Sequence, residues 1–395
     1  MTRFSGSAAT LAAATCLAAV AACGDNQSAS PDDLTRRAYV VAQESDELTV
    51  IDIDTHEIVG QVHTLGLGNH MAELSPDFAK VYVSSPGTAE VIVVDARTLT
   101  RTGSIGVGRH PTHMSLSRDG RYLAVVNEED NAVSFIDPVT DTEVKRIDGF
   151  ATPHFVRYAA DERTAYVANI GAHHLSVVDL EQLAIVDSIV LDGFAGPPDF
   201  TPAPDESGFA DAQIAADGML YAANADAGRV LVYDTNAKAK MAELAVGTAP
   251  WIAFAEHPFS GVAARYLVPN FGDATVSLID GAARSVAATL PGDSEAYGVN
   301  FSPLVPDRAY VMNKVRKDIA VVDTASGVIT SRIDVGGNTE TASTSADGKW
   351  IVATVSGANK VVVLDAATGA IDTTLDGVGV YPWSVTIPNG QNYCH

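Results

Sequence analysis

Ten histidines occur in this chain, and six of them fall between residues 70 and 174: His70, His110, His113, His154, His173 and His174. Neutral imidazole is the commonest side-chain ligand for zinc, copper and haem iron. No short metal-binding motif such as H-E-x-x-H brings any two of them together along the chain. A metal or haem site built from a subset of these six therefore depends on the fold to collect them.

A repeat supplies such a fold. An apolar pair followed by aspartate recurs eight times, ending at Asp52, Asp95, Asp137, Asp179, Asp234, Asp280, Asp323 and Asp365. Successive aspartates are 42 to 55 residues apart. Within each interval, short runs rich in β-branched and aromatic residues alternate with turns, which predicts four strands per repeat. A period in the forties with four strands per unit is typical of an all-β propeller.

The two ends of the chain predict how the ring closes. Three strands at Ala38–Val41, Leu48–Ile51 and Glu57–Val62 open the domain without an innermost strand. One strand, Trp383–Ile387, remains after the last full repeat. Pairing it with Ala38–Val41 would complete a shared blade and leave no open sheet edge. The sequence therefore predicts an eight-bladed β-propeller, with seven blades as the alternative if this pairing fails.

Position in the repeat predicts which residues reach the mouth of the central channel. Counting back seven residues from the turn aspartates finds the residue that opens each inner strand: His70, Thr112, His154, Ala210 and Glu340. Trp251, Tyr297 and Trp383 occupy similar places in the other blades. We expect His70, His154, Trp251 and Tyr297 to contact a ligand there. The alternative is that these side chains line a wet channel and satisfy backbone groups.

The longest interval contains an insertion, Leu191–Gly208, that is rich in Pro, Gly and Asp and carries Phe194 and Phe200. It joins two blades at the end of the channel where the histidines are expected, which we call the histidine-bearing face. Two interpretations are open: a loop that acts as a lid or contacts a partner, or a neutral insertion. The final residues, Cys394 and His395, supply too few ligands for a metal site by themselves. An isolated thiol is the simpler interpretation.

The first residues predict export. Residues 1–22 combine an early arginine, a short Ala/Leu/Val-rich run and small residues before Cys23. This pattern predicts a signal peptide whose apolar run is too short for a stable membrane span. Its last residues and Cys23 form a lipobox-like V-A-A-C. We expect lipidation at Cys23, a tether over residues 23–37 and the propeller domain over residues 38–395. The alternative is an ordinary signal peptide with an incidental cysteine.

We therefore expect the protein to lie at the bacterial cell envelope. The lipid on Cys23 would anchor it to the membrane, either on the periplasmic face or at the cell surface. Removal of Cys16 and lipidation of Cys23 would leave Cys394 alone, so no disulfide within the chain is expected. The net charge of −24 opposes binding to nucleic acid.

Several repeats resemble the YVTN-type β-propeller family. The segments that carry the resemblance are V-G-T-A-P at 246–250, S-R-D-G-R-Y at 117–122 and Y-V-A-N at 166–169. The eight blades and the histidines in the blade joints are also similar to the haem-d1 domain of cytochrome-type nitrite reductases. That resemblance implies an axial histidine over the channel mouth, at His70 or His154, with His113 as a third candidate. No C-x-x-C-H motif is present, so covalent haem and nitrite reduction are not expected.

Three functions follow as hypotheses. The first is a binding or interaction scaffold at the cell envelope, with an envelope protein or a small ligand held on the histidine-bearing face. The second is a carrier of haem or of Cu, Zn or Fe on the histidines. The third is a hydrolase or lyase with Glu340 and Asp211 as paired carboxylates. The sequence contains neither a G-x-S-x-G nucleophile motif nor a phosphate-binding loop, which argues against the common enzyme classes built on them.

Overall fold

The computed structural model describes residues 34–215, 217–256, 265–293 and 295–393. Eight sheets are arranged as the blades of a ring, and short 3-10 turns at Pro86–Thr88, Glu128–Asp130, Pro204–Glu206 and Ser356–Ala358 connect some of their strands. The predicted signal peptide, Cys23, Cys394 and His395 lie outside the described residues. In the described ranges, no helix has both the length and the apolar character needed to cross a membrane.

The strands of the described part are, in chain order, β1 (Arg37–Ala42), β2 (Glu47–Asp52), β3 (Glu57–His63), β4 (Ala72–Leu74), β5 (Lys80–Ser85), β6 (Glu90–Asp95), β7 (Thr100–Gly106), β8 (Pro111–Leu116), β9 (Leu123–Asn127), β10 (Ala132–Asp137), β11 (Thr142–Asp148), β12 (Pro153–Tyr158), β13 (Thr164–Asn169), β14 (His174–Asp179), β15 (Ala184–Val190), β16 (Phe209–Ile214), β17 (Met219–Asn224), β18 (Arg229–Asp234), β19 (Ala239–Ala245), β20 (Phe254–Ala255), β21 (Arg265–Asn270), β22 (Thr275–Asp280), β23 (Ser285–Pro291), β24 (Ala296–Phe301), β25 (Arg308–Asn313), β26 (Asp318–Asp323), β27 (Val328–Asp334), β28 (Thr339–Thr344), β29 (Trp350–Val355), β30 (Lys360–Asp365), β31 (Ile371–Asp376), β32 (Pro382–Thr386) and β33 (Gln391–Tyr393).

Blade 1 consists of β1, β2 and β3 with β32 as its innermost strand. Blades 2 to 8 follow as groups of four, from β4–β7 to β28–β31. In the shared blade, Tyr39 pairs with Thr386 and Val40 pairs with Val385. The prediction of eight blades closed by the two chain ends is therefore confirmed, and the seven-bladed alternative is wrong.

The recurring aspartates act as turn residues between the third and fourth strands of each blade. Asp179 Oδ1 accepts hydrogen bonds of 2.8 Å from the backbone N–H groups of Glu181 and Gln182. These bonds hold the pKa of the Asp179 carboxyl below its ordinary value. The same pair of bonds recurs at Asp52, Asp95 and Asp234. An Asx turn built into each repeat explains why the motif ends in aspartate.

The core lies between neighbouring blades. A tyrosine of the second strand is fully buried in six blades: Tyr39, Tyr82, Tyr166, Tyr221, Tyr266 and Tyr310. The outer strands, by contrast, mostly alternate between exposed and partly buried residues, as in β3. Each blade therefore buries its inner three strands against its neighbours and leaves the fourth strand at the rim.

The short strand β33 was not predicted. It pairs with the inner edge of β28, with Asn392 opposite Ser343, and so lies inside the channel. Gln391 Oε1 accepts a 2.9 Å hydrogen bond from the Phe301 N–H, and Gln391 Nε2 donates to the Ala255 carbonyl at 3.4 Å. Strand β33 therefore folds back into the lower part of the channel and contacts blades 6, 7 and 8.

Candidate functional site

A cavity of about 900 Å³ opens at one end of the channel. We call this end the top face, because the joints between blades and the loops between second and third strands lie there. The lining includes four of the six predicted histidines, namely His70, His110, His113 and His154, together with Trp251, Tyr297 and Trp383. A cavity of this size is ample for a small ligand.

His70, His113 and His154 form a row on one wall of the cavity, which we call the histidine arc. The Nε2 atoms of His70 and His113 are 3.3 Å apart, and the ring centroids of His113 and His154 are 4.3 Å apart. His113 and His154 lie in β8 and β12, the inner strands of blades 3 and 4, and His70 lies in the joint just before β4 of blade 2. These blades are neighbours around the channel. The structure therefore brings together residues that are far apart in sequence.

Breaks in strand pairing point two of these side chains into the cavity. The register of β8 against β9 shifts between Pro111 and Met114, and that of β12 against β13 shifts between Pro153 and Phe155. Each break frees the residues between the two paired positions from strict alternation, as bulges do. These residues are Thr112 and His113 in β8 and His154 in β12. Both histidines of blades 3 and 4 are therefore among the residues freed.

Hydrogen bonds fix the orientation of the arc. His154 Nδ1 is 2.8 Å from the Ala210 carbonyl, so Nδ1 carries the proton and Nε2 is left as an acceptor. Metal-binding histidines usually donate such a hydrogen bond from the ring nitrogen that does not bind the metal. Burial lowers the pKa of His70 to about 3, with neighbouring His154 and His110 adding to the effect, although the residue keeps some exposed surface. His70 is therefore neutral at physiological pH and has a lone pair available.

Glu128 completes the cluster. One ligand atom each from His113, Glu128 and His154 lies within 4.8 Å of the others. Thr112 Oγ1 donates a 2.6 Å hydrogen bond to Glu128 Oε1 and holds the carboxylate beside the arc. Sequence reasoning missed Glu128. Its place in the upper loop of blade 3, beside two histidine-bearing joints, is the signal that could have identified it.

The distance between His70 and His113 suits a tetrahedral ion. Two nitrogen ligands with Zn–N bonds of about 2.0–2.1 Å lie about 3.3–3.4 Å apart at the tetrahedral angle. The 3.3 Å between His70 Nε2 and His113 Nε2 matches that edge. The ligand atoms of Glu128 and His154 lie within 4.8 Å of that of His113, so these side chains would have to move closer to reach the same spacing.

The other predicted histidines lie elsewhere. His110 is at the rim, 44% exposed, with Nδ1 3.6 Å from Glu128 Oε2. His173 stacks on Phe194 with 3.8 Å between ring centroids, and His174 packs edge-on against Phe200 at 5.1 Å. His173 and His174 are not among the described residues that line the cavity. These two histidines instead pack against the phenylalanines of the insertion.

Two aromatic side chains that line the cavity, Trp251 and Tyr297, form a second wall, which we call the aromatic wall. The Phe271 ring packs against both of them. The rings of Trp251 and Phe271 are stacked with centroids 5.4 Å apart, and the ring centroids of Tyr297 and Trp251 are 6.2 Å apart. Trp251 also approaches His154 at 5.9 Å, so the two walls meet there. The predicted contacts Trp251 and Tyr297 thus border the cavity, and Phe271 was not anticipated.

Asp211 and Glu340 belong to two different charged clusters. Asp211 is fully buried and accepts hydrogen bonds of 2.9 and 2.5 Å from the Arg157 guanidinium. Glu340 Oε1 accepts a 3.1 Å hydrogen bond from Ser356 and a 3.2 Å bond from Tyr381. Burial raises the pKa of Glu340 despite the nearby Lys314 ammonium. Because each carboxyl is engaged in its own cluster, the geometry supports a hydrolytic pair of carboxylates less well than it supports a ligand site at the histidine cluster.

Carboxylates dominate the charge around the cavity. Five acidic residues line it, namely Glu44, Asp46, Glu128, Glu129 and Glu206. A concave site lined by one sign of charge raises the local concentration of the opposite ion. The cavity therefore favours cations.

Comparisons with known proteins agree with this architecture. Dihydro-heme d1 dehydrogenase NirN in complex with DHE superposes with a TM-score of 0.72 and 18% identity, covering 90% of this chain and 76% of NirN. Apo AztD from Citrobacter koseri superposes with a TM-score of 0.62 and 13% identity, covering 88% of this chain and 96% of AztD. At these identities the likeness concerns the fold alone, and it confirms the expected similarity to the haem-d1 propeller. No curated protein sequence matches the chain.

The sequence pattern of one family covers most of the repeats. The YNCE-like β-propeller pattern matches residues 69–387, from the joint that leads into blade 2 to the end of the closing strand. The match agrees with the YVTN-type repeats identified above. The chain therefore belongs to the YNCE-like β-propeller family.

Proposed function

We propose that this chain is an exported, lipid-anchored propeller that binds a divalent transition metal, Zn²⁺ or Cu²⁺, at the top of its channel. The ligands are His113, Glu128 and His154, with His70 as the fourth. The observation that carries the proposal is the convergence of one ligand atom each from His113, Glu128 and His154 within 4.8 Å. His70 joins them through its Nε2, which is 3.3 Å from His113 Nε2. Anchoring at Cys23 would hold this site at the bacterial cell envelope.

The chemistry of the donors supports this choice of metal. Imidazole nitrogen suits Zn²⁺ and Cu²⁺, whereas Mg²⁺ and Ca²⁺ prefer sites made of oxygen atoms alone. Two histidines with one carboxylate already make a well-known zinc ligand set. The His154 Nδ1 contact to the Ala210 carbonyl supplies the outer-sphere support that such sites use.

The electrostatics support the same conclusion. The lining carboxylates, with the net charge of −24, attract a cation toward the cavity before any ligand contacts it. Because His70 stays neutral well below pH 7, no proton has to leave it when a metal binds at physiological pH.

A second candidate is a flat, metal-containing ligand such as haem. The cavity of about 900 Å³ exceeds the needs of a single ion, and the aromatic wall faces it beside His154. Trp251 and Tyr297 would pack on such a ring, and His154 Nε2 or His70 would reach its iron. A binding or interaction role for an envelope partner on the same face is compatible with either ligand.

The test uses the chain without a histidine tag, stripped with a chelator and then titrated with Zn²⁺ and Cu²⁺. Inductively coupled plasma mass spectrometry after gel filtration should find about one tightly held equivalent. A visible spectrum of the protein before stripping, from a host that makes haem, separates the two candidates, because haem absorbs strongly and zinc does not. Protein that is colourless and retains no metal would contradict both candidates and leave the interaction role.

A further inference from the structure

We propose that His110 is a loading ligand, which captures the metal at the rim and passes it through Glu128 to the histidine arc. On this view His110 sets the rate of metal exchange and contributes little to the final affinity. The inference rests on the proposed metal site and adds a role for a histidine that lies outside the buried cluster.

The position of Glu128 carries the argument. Its side chain is 18% exposed, and its Oε2 atom is 3.6 Å from Nδ1 of His110, which is 44% exposed. The same carboxylate has a ligand atom within 4.8 Å of those of His113 and His154. Glu128 therefore lies between a histidine that bulk water reaches and two that are buried. An ion bound by His110 and Glu128 needs to exchange only one ligand at a time to move inward.

The backbone holds His110 and Glu128 together. The Glu128 N–H donates a 3.2 Å hydrogen bond to the His110 carbonyl. Next to them, the Arg109 N–H and the Arg109 Nε each donate a 2.7 Å hydrogen bond to the Asp130 carboxylate. The joint between blades 2 and 3 is thus fastened to the 3-10 turn that carries Glu128. The pair is prearranged, which a transient ligand needs if it is to act quickly.

The lower part of the channel offers a poorer route. Strand β33 lies along the inner edge of β28, and Gln391 is hydrogen-bonded to Phe301 and Ala255 in the neighbouring blades. A strand held in the channel by hydrogen bonds opposes the passage of a metal ion. The rim with its carboxylates is therefore the path that we expect the ion to take in both directions.

A loading ligand has a kinetic signature that an equilibrium ligand lacks. It lowers the barrier that separates bound and free ion, so its removal slows association and dissociation by the same factor. The dissociation constant, being the ratio of the two rates, then stays constant. Removal of an equilibrium ligand would instead speed dissociation and weaken binding.

The experiment compares His110→Asn with the unmodified chain and with His63→Asn, a matched change of an exposed histidine at the end of β3. Asparagine is chosen because His110 has φ +55, a left-handed conformation that asparagine tolerates better than alanine. Stopped-flow mixing with Co²⁺, followed by its visible absorption, gives the association rate. A chelator chase gives the dissociation rate.

We expect His110→Asn to slow both rates by about tenfold, equivalent to a barrier raised by about 1.4 kcal/mol, with the dissociation constant unchanged within about twofold. His63→Asn should leave both rates unchanged. An unchanged association rate in His110→Asn would overturn the inference, as would faster dissociation with weaker binding. If the unmodified chain binds neither Co²⁺ nor Zn²⁺, the proposed metal site itself is wrong.

Discussion

Replacing His113 and His154 together by alanine will lower the affinity of the chain for Zn²⁺ by at least about a thousandfold. Loss of a single hydrogen bond that supports a metal ligand already lowers metal affinity by about 10–100-fold, and loss of two ligands costs more. Both side chains face the cavity, and each contributes one of the converging ligand atoms. The change removes two ligands and leaves Glu128 and His70 too few to hold the ion. Competition against a chelator of known affinity measures the loss.

The matched control for this result is the double change His173→Ala and His174→Ala. These histidines are as buried as the pair in the arc, but they pack against Phe194 and Phe200 and are not among the residues that line the cavity. We expect the control to retain the zinc affinity of the unmodified chain within a few-fold. An equal loss in both double variants would mean that the histidine arc is not the site. Circular dichroism of each variant checks that the fold is retained.

Replacing Val385 by aspartate in the closing strand β32 will destabilise the whole domain by more than about 4 kcal/mol, the cost of an unpaired charge in a packed core. Val385 is 1% exposed and packs in a cluster with Val363, Val378 and Ile387. Its carbonyl also accepts a 2.6 Å hydrogen bond from Ser343 Oγ of blade 8. Because β32 joins the two ends of the ring, loss of this strand opens blade 1.

The same substitution at an exposed valine close in sequence provides the control. Val380 is 43% exposed in the joint that leads into β32, so Val380→Asp should change stability by no more than about 0.5 kcal/mol. Urea unfolding followed by tryptophan fluorescence measures both variants. If Val385→Asp unfolds at the same urea concentration as Val380→Asp, the closing strand does not stabilise the ring.

The repeat made the fold predictable. The aspartates recur because each one forms the same Asx turn, and the closing strand was recognisable because blade 1 lacked an inner strand. Strand β33 was missed because Gln391 and Asn392 have no apolar alternation and are held by polar contacts. Such contacts depend on the finished channel and leave no pattern in the sequence.

The site was predictable only in part. Counting along the repeat identified His70 and His154 as residues of the channel mouth, but it assigned the equivalent place in blade 3 to Thr112. The register break in β8 turns His113 inward as well, and a regular count cannot anticipate a bulge. Glu128 was missed for a similar reason, because its direction is set by a 3-10 turn and the bond from Thr112.

The most direct test of the metal site is X-ray diffraction from crystals soaked in Zn²⁺, recorded on both sides of the zinc absorption edge. We predict one strong anomalous peak about 2.0–2.1 Å from Nε2 of His154, a ring nitrogen of His113 and a carboxylate oxygen of Glu128, with His70 completing the coordination. An anomalous map with no peak at the histidine arc, while zinc is bound at another place on the protein, would contradict the proposal.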